Sequence, residues 1–152
     1  MKITEILKLD SIISDLKSTD KKGVIEELAQ SVAQTSKASS DEITKVLLER
    51  EQLGSTGIGG GIAIPHGKLN AINSITLGFG LSRSGVEYDS LDNKPVHIFF
   101  LLLTPENSTG GHLKVLAQIS KLLKMDQFKL DLKQAESVQQ IFEIIQEVDE
   151  DF

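Results

Sequence analysis

Residues 57–68 read GIGGGIAIPHGK, a glycine cluster that leads through a short apolar stretch to a histidine between Pro65 and Gly67. Proline fixes its own backbone and offers no N–H, and Gly67 carries no side chain, so the His66 imidazole is expected to be presented rather than packed. Free imidazole titrates near about 6.5 and is largely neutral at pH 7, which leaves one ring nitrogen with a lone pair able to attack phosphorus without a metal. Phosphoryl transfer then needs positioning and positive charge around the equatorial oxygens. Two residues could supply that charge. His112 opens a helix after the loop NSTGGH, where free backbone N–H groups favour an anion. Arg50 sits in the last turn before Gly54 and carries a fork of donors. Taken singly, His66 also reads as a turn histidine, His112 as an ordinary helix N-terminal residue and Arg50 as a surface partner of Glu49 or Glu51. The sequence does not bring the three together.

Other motifs fail on spacing. A dinucleotide fingerprint from Gly57 needs glycine at position 62, and a P-loop ending at Gly67-Lys68 needs glycine at 62 and a hydroxyl at 69; Ile62 and Leu69 stand there. Gly57 to Gly61 read equally as a tight loop with positive φ and as an anion-binding nest, and one loop can be both. His97 lies between Val96 and Ile98 in an apolar run, where a hydrogen-bonded structural histidine is the better reading. The three histidines lack HxH or HExxH spacing, so no metal centre is expected. Ser55 and Thr56 are loop hydroxyls suited to turn bonding or to a phosphate contact, without a hydrolase elbow around them.

The chain has 152 residues, is 39% hydrophobic and 25% charged, and contains no cysteine. Residues 1–152 fit a single domain with a real core, and disulfide, iron–sulfur, thiolate-zinc and thiol chemistry are excluded. The formal net charge of −6 gives no footprint for nucleic acid or anionic lipid and suits a basic partner. No apolar run reaches the roughly 20 residues of a membrane helix, and the first ten residues do not resemble a signal peptide, so a cytoplasmic protein is expected.

Several elements must position these residues. Ser11 to Leu16 predicts a first strand. Val24, Ile25, Leu28 and Val32 predict a helix over 20–35 capped by Thr19 or Asp20, and a capping box from Ser39 to Glu42 starts a second helix that Gly54 stops. Strands are expected at Ile62–Pro65, Ile75–Leu81, Val86–Tyr88 and Val96–Thr104. VHIFFLLLT is apolar on both faces and reads as a central strand covered on each side. Helices follow over 111–125 and from Val138, with a short helix or turn over 126–134, and EVDEDF reads as a fraying tail. The fold class is therefore α/β in three layers, α/β/α, with a central mixed sheet flanked by helices.

LEREQLGSTGIGGGIAIPHGK, then DNKPVHIFFLLLTPE and a histidine opening the next helix, resemble the type 2 enzyme IIA family of the bacterial phosphoenolpyruvate-dependent phosphotransferase system. The resemblance spans nearly the whole chain, is strongest between Leu48 and Pro105, and implies the same three-layer fold. It implies that His66 is the phosphoryl acceptor, at Nε2, with HPr or a nitrogen-branch equivalent as donor. His112 and Arg50 would stabilise the transferring phosphoryl group, Gly67 would give the donor room, and no ATP, cofactor or metal would take part. Ile58, Ile62 and Leu69 are candidates for a docking rim. One departure is Gly60, where many relatives carry asparagine. GSTGIG, IAIPHGKL and DNKPV are closest to the nitrogen-regulatory subgroup, which implies a phosphocarrier that controls partner proteins. The alternative is a fructose- or mannitol-type component passing phosphate to a cysteine of a separate enzyme IIB.

Overall fold

A computed structural model describes residues 2–107 and 110–149, apart from the side chains at 111 and 112. Helix α1 (Ile3–Ile6) leads into strand β1 (Leu7–Ile13), followed by α2 (Lys21–Ser36) and α3 (Ser40–Gln52). Strands β2 (Gly57–Gly59), β3 (Ile62–Ala63), β4 (His66–Leu69), β5 (Thr76–Val86) and β6 (Val96–Pro105) come next, and α4 (Gly111–Leu122), α5 (Asp126–Gln134) and α6 (Val138–Asp149) complete the order.

The strands form one mixed sheet ordered β1-β5-β6-β3-β2, with β4 also beside β6. β1 runs parallel to β5, β3 and β4 run parallel to β6, and the β5–β6 and β2–β3 pairs are antiparallel. Alternation along β6 separates two cores. Ile98, Phe100 and Leu102 meet α4, α5 and α6, while Phe99, Leu101 and Leu103 meet α2 and α3. This gives the three expected layers. An edge-on aromatic pair braces each side, Phe79 with Phe100 at 5.0 Å and Tyr88 with Phe99 at 5.4 Å between centroids.

Helix starts follow the capping chemistry. Asp20 accepts from the Gly23 N–H at 2.8 Å, and Ser39 Oγ accepts from the Glu42 N–H at 3.1 Å, each cap worth about 1 kcal/mol. Gly54 follows the α3 cap residue Leu53 with φ of +147°. Elsewhere the strand boundaries move. β1 begins at Leu7, ahead of the expected Ser11, with a register shift between Leu7 and Ile12 that interrupts its alternation, and Leu16 lies beyond the strand, buried and bonded to the Leu81 carbonyl. The two expected pieces at 75–81 and 86–88 are one strand, β5, with an irregularity between Leu81 and Val86. Residues 126–134 are helical. The expected fraying tail is corrected in part: Glu147 to Asp149 belong to α6, and Asp149 is fully buried; residues 150–152 lie outside the described residues.

Candidate functional site

β3 and β4 form one interrupted row along β6. Ile62 and Ala63 pair with Ile98 and Phe99, the row breaks at Ile64-Pro65, and it resumes with His66 beside Leu102. Proline has no N–H for the ladder, yet its carbonyl still accepts from Leu102 N–H at 2.9 Å, so the chain stays attached across the break. His66 thus opens a short strand instead of standing in a free loop, and its ring is half-buried.

The imidazole is fixed in one sense. His66 Nδ1 lies 2.8 Å from the Ile64 carbonyl oxygen. A carbonyl only accepts, so Nδ1 carries a proton, and in the neutral ring the lone pair is then on Nε2. Beyond β4 on this edge no further strand pairs among the described residues. α3 from one face and α4 from the other border a cavity there of about 420 Å³, and its lining includes His66, Lys68, Arg50, Glu49, Leu53 and Leu113.

His66 and Arg50, far apart in sequence, therefore share one cavity. Arg50 Nη1 donates to the Gly54 carbonyl at 2.9 Å, and its other guanidinium N–H groups have no hydrogen-bond partner among the described residues. His112 lies in the first turn of α4, but its side chain is outside the described residues; its neighbour Leu113 lines the cavity. Lys68 was not singled out in the sequence. Period-two alternation puts it on the same face as His66, a signal that depends on recognising residues 66–69 as a strand.

Three local expectations change. The space beside Gly67 is filled by α3, since a Cβ there would come within 2.5 Å of Val46 Cγ1. Close helix–strand approach, and not room for a donor, is what requires this glycine. Ile62 and Leu69 point into the cores at 4% exposure each, so they form no rim; Ile58 is 49% exposed but does not line the cavity. The exposed apolar residues of the cavity are Leu53 and Leu113. The glycine cluster is a β2–β3 hairpin outside the cavity lining, and its Gly60 N–H is taken by Asp92 at 3.1 Å. Gly60 has φ of +68°, a conformation asparagine also adopts, and a Cβ there would approach nothing nearer than Lys129 Nζ at 3.5 Å. Its departure from the family pattern is thus sterically neutral.

Both loop hydroxyls have structural bonds. Ser55 Oγ accepts from Gly57 N–H, and buried Thr56 bonds Glu51 and Tyr88. His97 Nδ1 donates to the Ser82 carbonyl at 2.9 Å, in keeping with a structural histidine.

A half-buried imidazole whose Nε2 has no hydrogen-bond partner among the described residues, facing a cavity that also holds an arginine and a lysine, is arranged to meet an anionic electrophile. The chain is similar to known proteins over nearly its whole length. The family model described as phosphoenolpyruvate-dependent sugar phosphotransferase system, EIIA 2, matches residues 5–148. A fructose-specific EIIABC component of Bacillus subtilis is 38% identical over 98% of the chain, which spans 24% of that protein's length. A nitrogen regulatory protein of Bradyrhizobium diazoefficiens is 36% identical over 95% of both chains. The crystal structure of the nitrogen regulatory protein IIA-Ntr from Neisseria meningitidis superposes with a TM-score of 0.88 at 36% identity, covering 94% of this chain and 98% of that one. With nearly its whole length matched, the chain belongs to the type 2 EIIA family of the phosphoenolpyruvate-dependent sugar phosphotransferase system.

Proposed function

We propose that His66 accepts a phosphoryl group at Nε2 from the phosphohistidine of HPr or a nitrogen-branch counterpart, and that the protein acts in the cytoplasm as a regulatory phosphocarrier. The observation that carries this reading is the Nδ1–H bond to the Ile64 carbonyl, which leaves Nε2 of the neutral ring as the nucleophile in a cavity that also holds Arg50 and Lys68. The Nε2 lone pair forms the new P–N bond while the electron pair of the donor's P–N bond returns to the donor imidazole. Positive charge that develops on the His66 ring is stabilised through Nδ1–H by the Ile64 carbonyl. Arg50 and Lys68, with His112 from the start of α4, balance the phosphoryl oxygens. Leu53 and Leu113, 85% and 62% exposed, give an incoming carrier an apolar rim.

Similarity to nitrogen regulators in both sequence and fold supports the regulatory role. Phosphorylating His66 adds up to about two negative charges at this rim, enough to change which surfaces dock there without refolding. A second reading, transfer onward to a cysteine of a separate enzyme IIB, is favoured by the 38% identity to part of a fructose component.

Incubation with phosphoenolpyruvate, enzyme I and HPr should label the wild type and leave His66→Ala unlabelled; labelling of that variant would overturn the assignment. His112→Ala should fold and accept phosphate more slowly, and normal rates would remove its role. Label that persists when candidate IIB proteins are added, with partner binding that depends on it, supports regulation. Rapid loss of label to a IIB cysteine supports transport.

A further inference from the structure

Glu51 is the buried acid next to Arg50, with its side chain only 4% exposed. Its place is unfavourable on two counts: burial desolvates the carboxylate, and the C-terminal turn of α3 presents the negative end of the helix dipole. A leucine here would fill the same region without desolvating a charge. What leucine could not do is make the bonds that Glu51 makes.

Glu51 Oε1 accepts from the Thr56 backbone N–H at 3.1 Å and pairs with Lys21 Nζ at 3.1 Å, while Oε2 accepts from the Thr56 hydroxyl. With its single proton given to the carboxylate, Thr56 Oγ1 must accept from the Tyr88 hydroxyl, 3.0 Å away. Lys21 also lies over the Tyr88 ring, 4.9 Å from its centroid. Thr56 is therefore held at its backbone and its side chain.

From Thr56 the connection continues to the reactive ring. The Thr56 carbonyl accepts from Ile64 N–H at 3.0 Å, and the Ile64 carbonyl accepts from His66 Nδ1–H at 2.8 Å. Ile64 is thus clamped at both ends, one bond leading to the Glu51 cluster and the other to the imidazole. The pairing of β4 with β6 fixes the backbone of residue 66, but ring tautomer and tilt depend on where the Ile64 carbonyl points.

We propose that Glu51 is a positioning residue for His66, acting through Thr56 and the Ile64 carbonyl to hold the imidazole with Nδ1 protonated and Nε2 open to the cavity. The inference rests on His66 being the phosphoryl acceptor, but the connection exists in the unphosphorylated protein and can be read without any donor. A glutamine at 51 removes the charge paired with Lys21 and offers one acceptor oxygen in place of two; with that oxygen on the Thr56 N–H, its amide donates to Thr56 Oγ1 and the Thr56–Tyr88 bond must reverse. Thr56→Val removes the hydroxyl at nearly constant shape, and Thr56→Ser restores it.

The test is nitrogen NMR of the histidine rings, with His97 as an internal control because its Nδ1 is held by Ser82, outside this connection. In the wild type, His66 should be found with Nδ1–H predominating. Glu51→Gln and Thr56→Val should shift His66 toward the other tautomer or broaden its signals and leave His97 unchanged, and Thr56→Ser should behave as wild type. With phospho-HPr as donor, the shifted variants should lose about tenfold to a hundredfold in kcat with KM nearly constant, as expected for a misaligned nucleophile with an intact docking surface. Unchanged His66 signals in both Glu51→Gln and Thr56→Val would overturn the proposal. So would equal disturbance of His66 and His97, which would mark a general structural role. Should Glu51→Gln fail to fold, the contrast between the valine and serine variants at 56 decides. A tautomer shift in a protein whose wild type takes no label would leave the positioning intact and refute the acceptor assignment instead.

Discussion

Tyr88 is the chain's only tyrosine and is fully buried, its hydroxyl bonded to Thr56. Burial, followed by the negative charge of Glu51, pushes its pKa well above the ordinary value for a phenol. The native state therefore favours the protonated form, whereas the unfolded chain releases the proton above about pH 10. The stability linked to this group is complete below that pH and falls as pH rises past it, by up to about 1.4 kcal/mol per pH unit. Absorbance spectroscopy should accordingly show phenolate only as the protein unfolds in alkali; a simple titration near the ordinary value in folded protein would contradict the burial argument. This cluster was hidden in the sequence, where Glu51 reads as one more helix-surface acid and Thr56 as a loop hydroxyl. Pro65, Gly67 and Gly54 singled out His66 and Arg50 in the sequence, and the structure brings the two to one cavity. Lys68 was not, since its position on the face of His66 follows from pairing with β6.

At the scale of elements, long patterns carried most of the fold. β6 announced itself by being apolar on both faces, and α2 and α3 by their caps and helical spacing. β4 did not, because HGKL has a single apolar residue and Pro65 before it signals a turn; its strand geometry comes from the edge of β6. The same short strand sets the distance between His66 and Arg50, since α3 rests on Gly67. A Cβ at 67 would meet Val46 Cγ1 at 2.5 Å, and because a β-branched side chain is stiff at χ1, Gly67→Ala is expected to push α3 away from β4 and carry Arg50 with it. Overpacking of this kind costs about 1–3 kcal/mol. Chemical denaturation should show that loss together with slower phosphoryl transfer, and Val46→Ala added to Gly67→Ala should recover part of both. Wild-type stability in the single variant would mean that the helix has slack at this contact.

At the scale of the whole molecule, the helices of one face are tied to the start of the chain. Asp149, in the last turn of α6, is fully buried and accepts from Ile3 N–H at 3.0 Å, Thr4 N–H at 2.9 Å and Thr4 Oγ1 at 2.8 Å. These contacts join residues 145 and 146 positions apart. The carboxylate satisfies N–H groups at the start of α1 that no helical carbonyl can reach, so a residue from α6 caps α1. Hydrophobic pattern could not reveal this, because Asp149 stands among Glu147, Glu150 and Asp151 and reads as part of a solvated acidic run. Removing the acceptors in Asp149→Ala leaves buried donors unpaired, with an expected cost of about 1–3 kcal/mol. The loss should be local before it is global. Amide exchange at Ile3 and Thr4 should accelerate most, while labelling of His66 stays normal, because neither α1 nor α6 lines the cavity. Thermal unfolding at the wild-type temperature, with exchange at Ile3 and Thr4 unchanged, would show that the Asp149 contacts do not hold α1 in place.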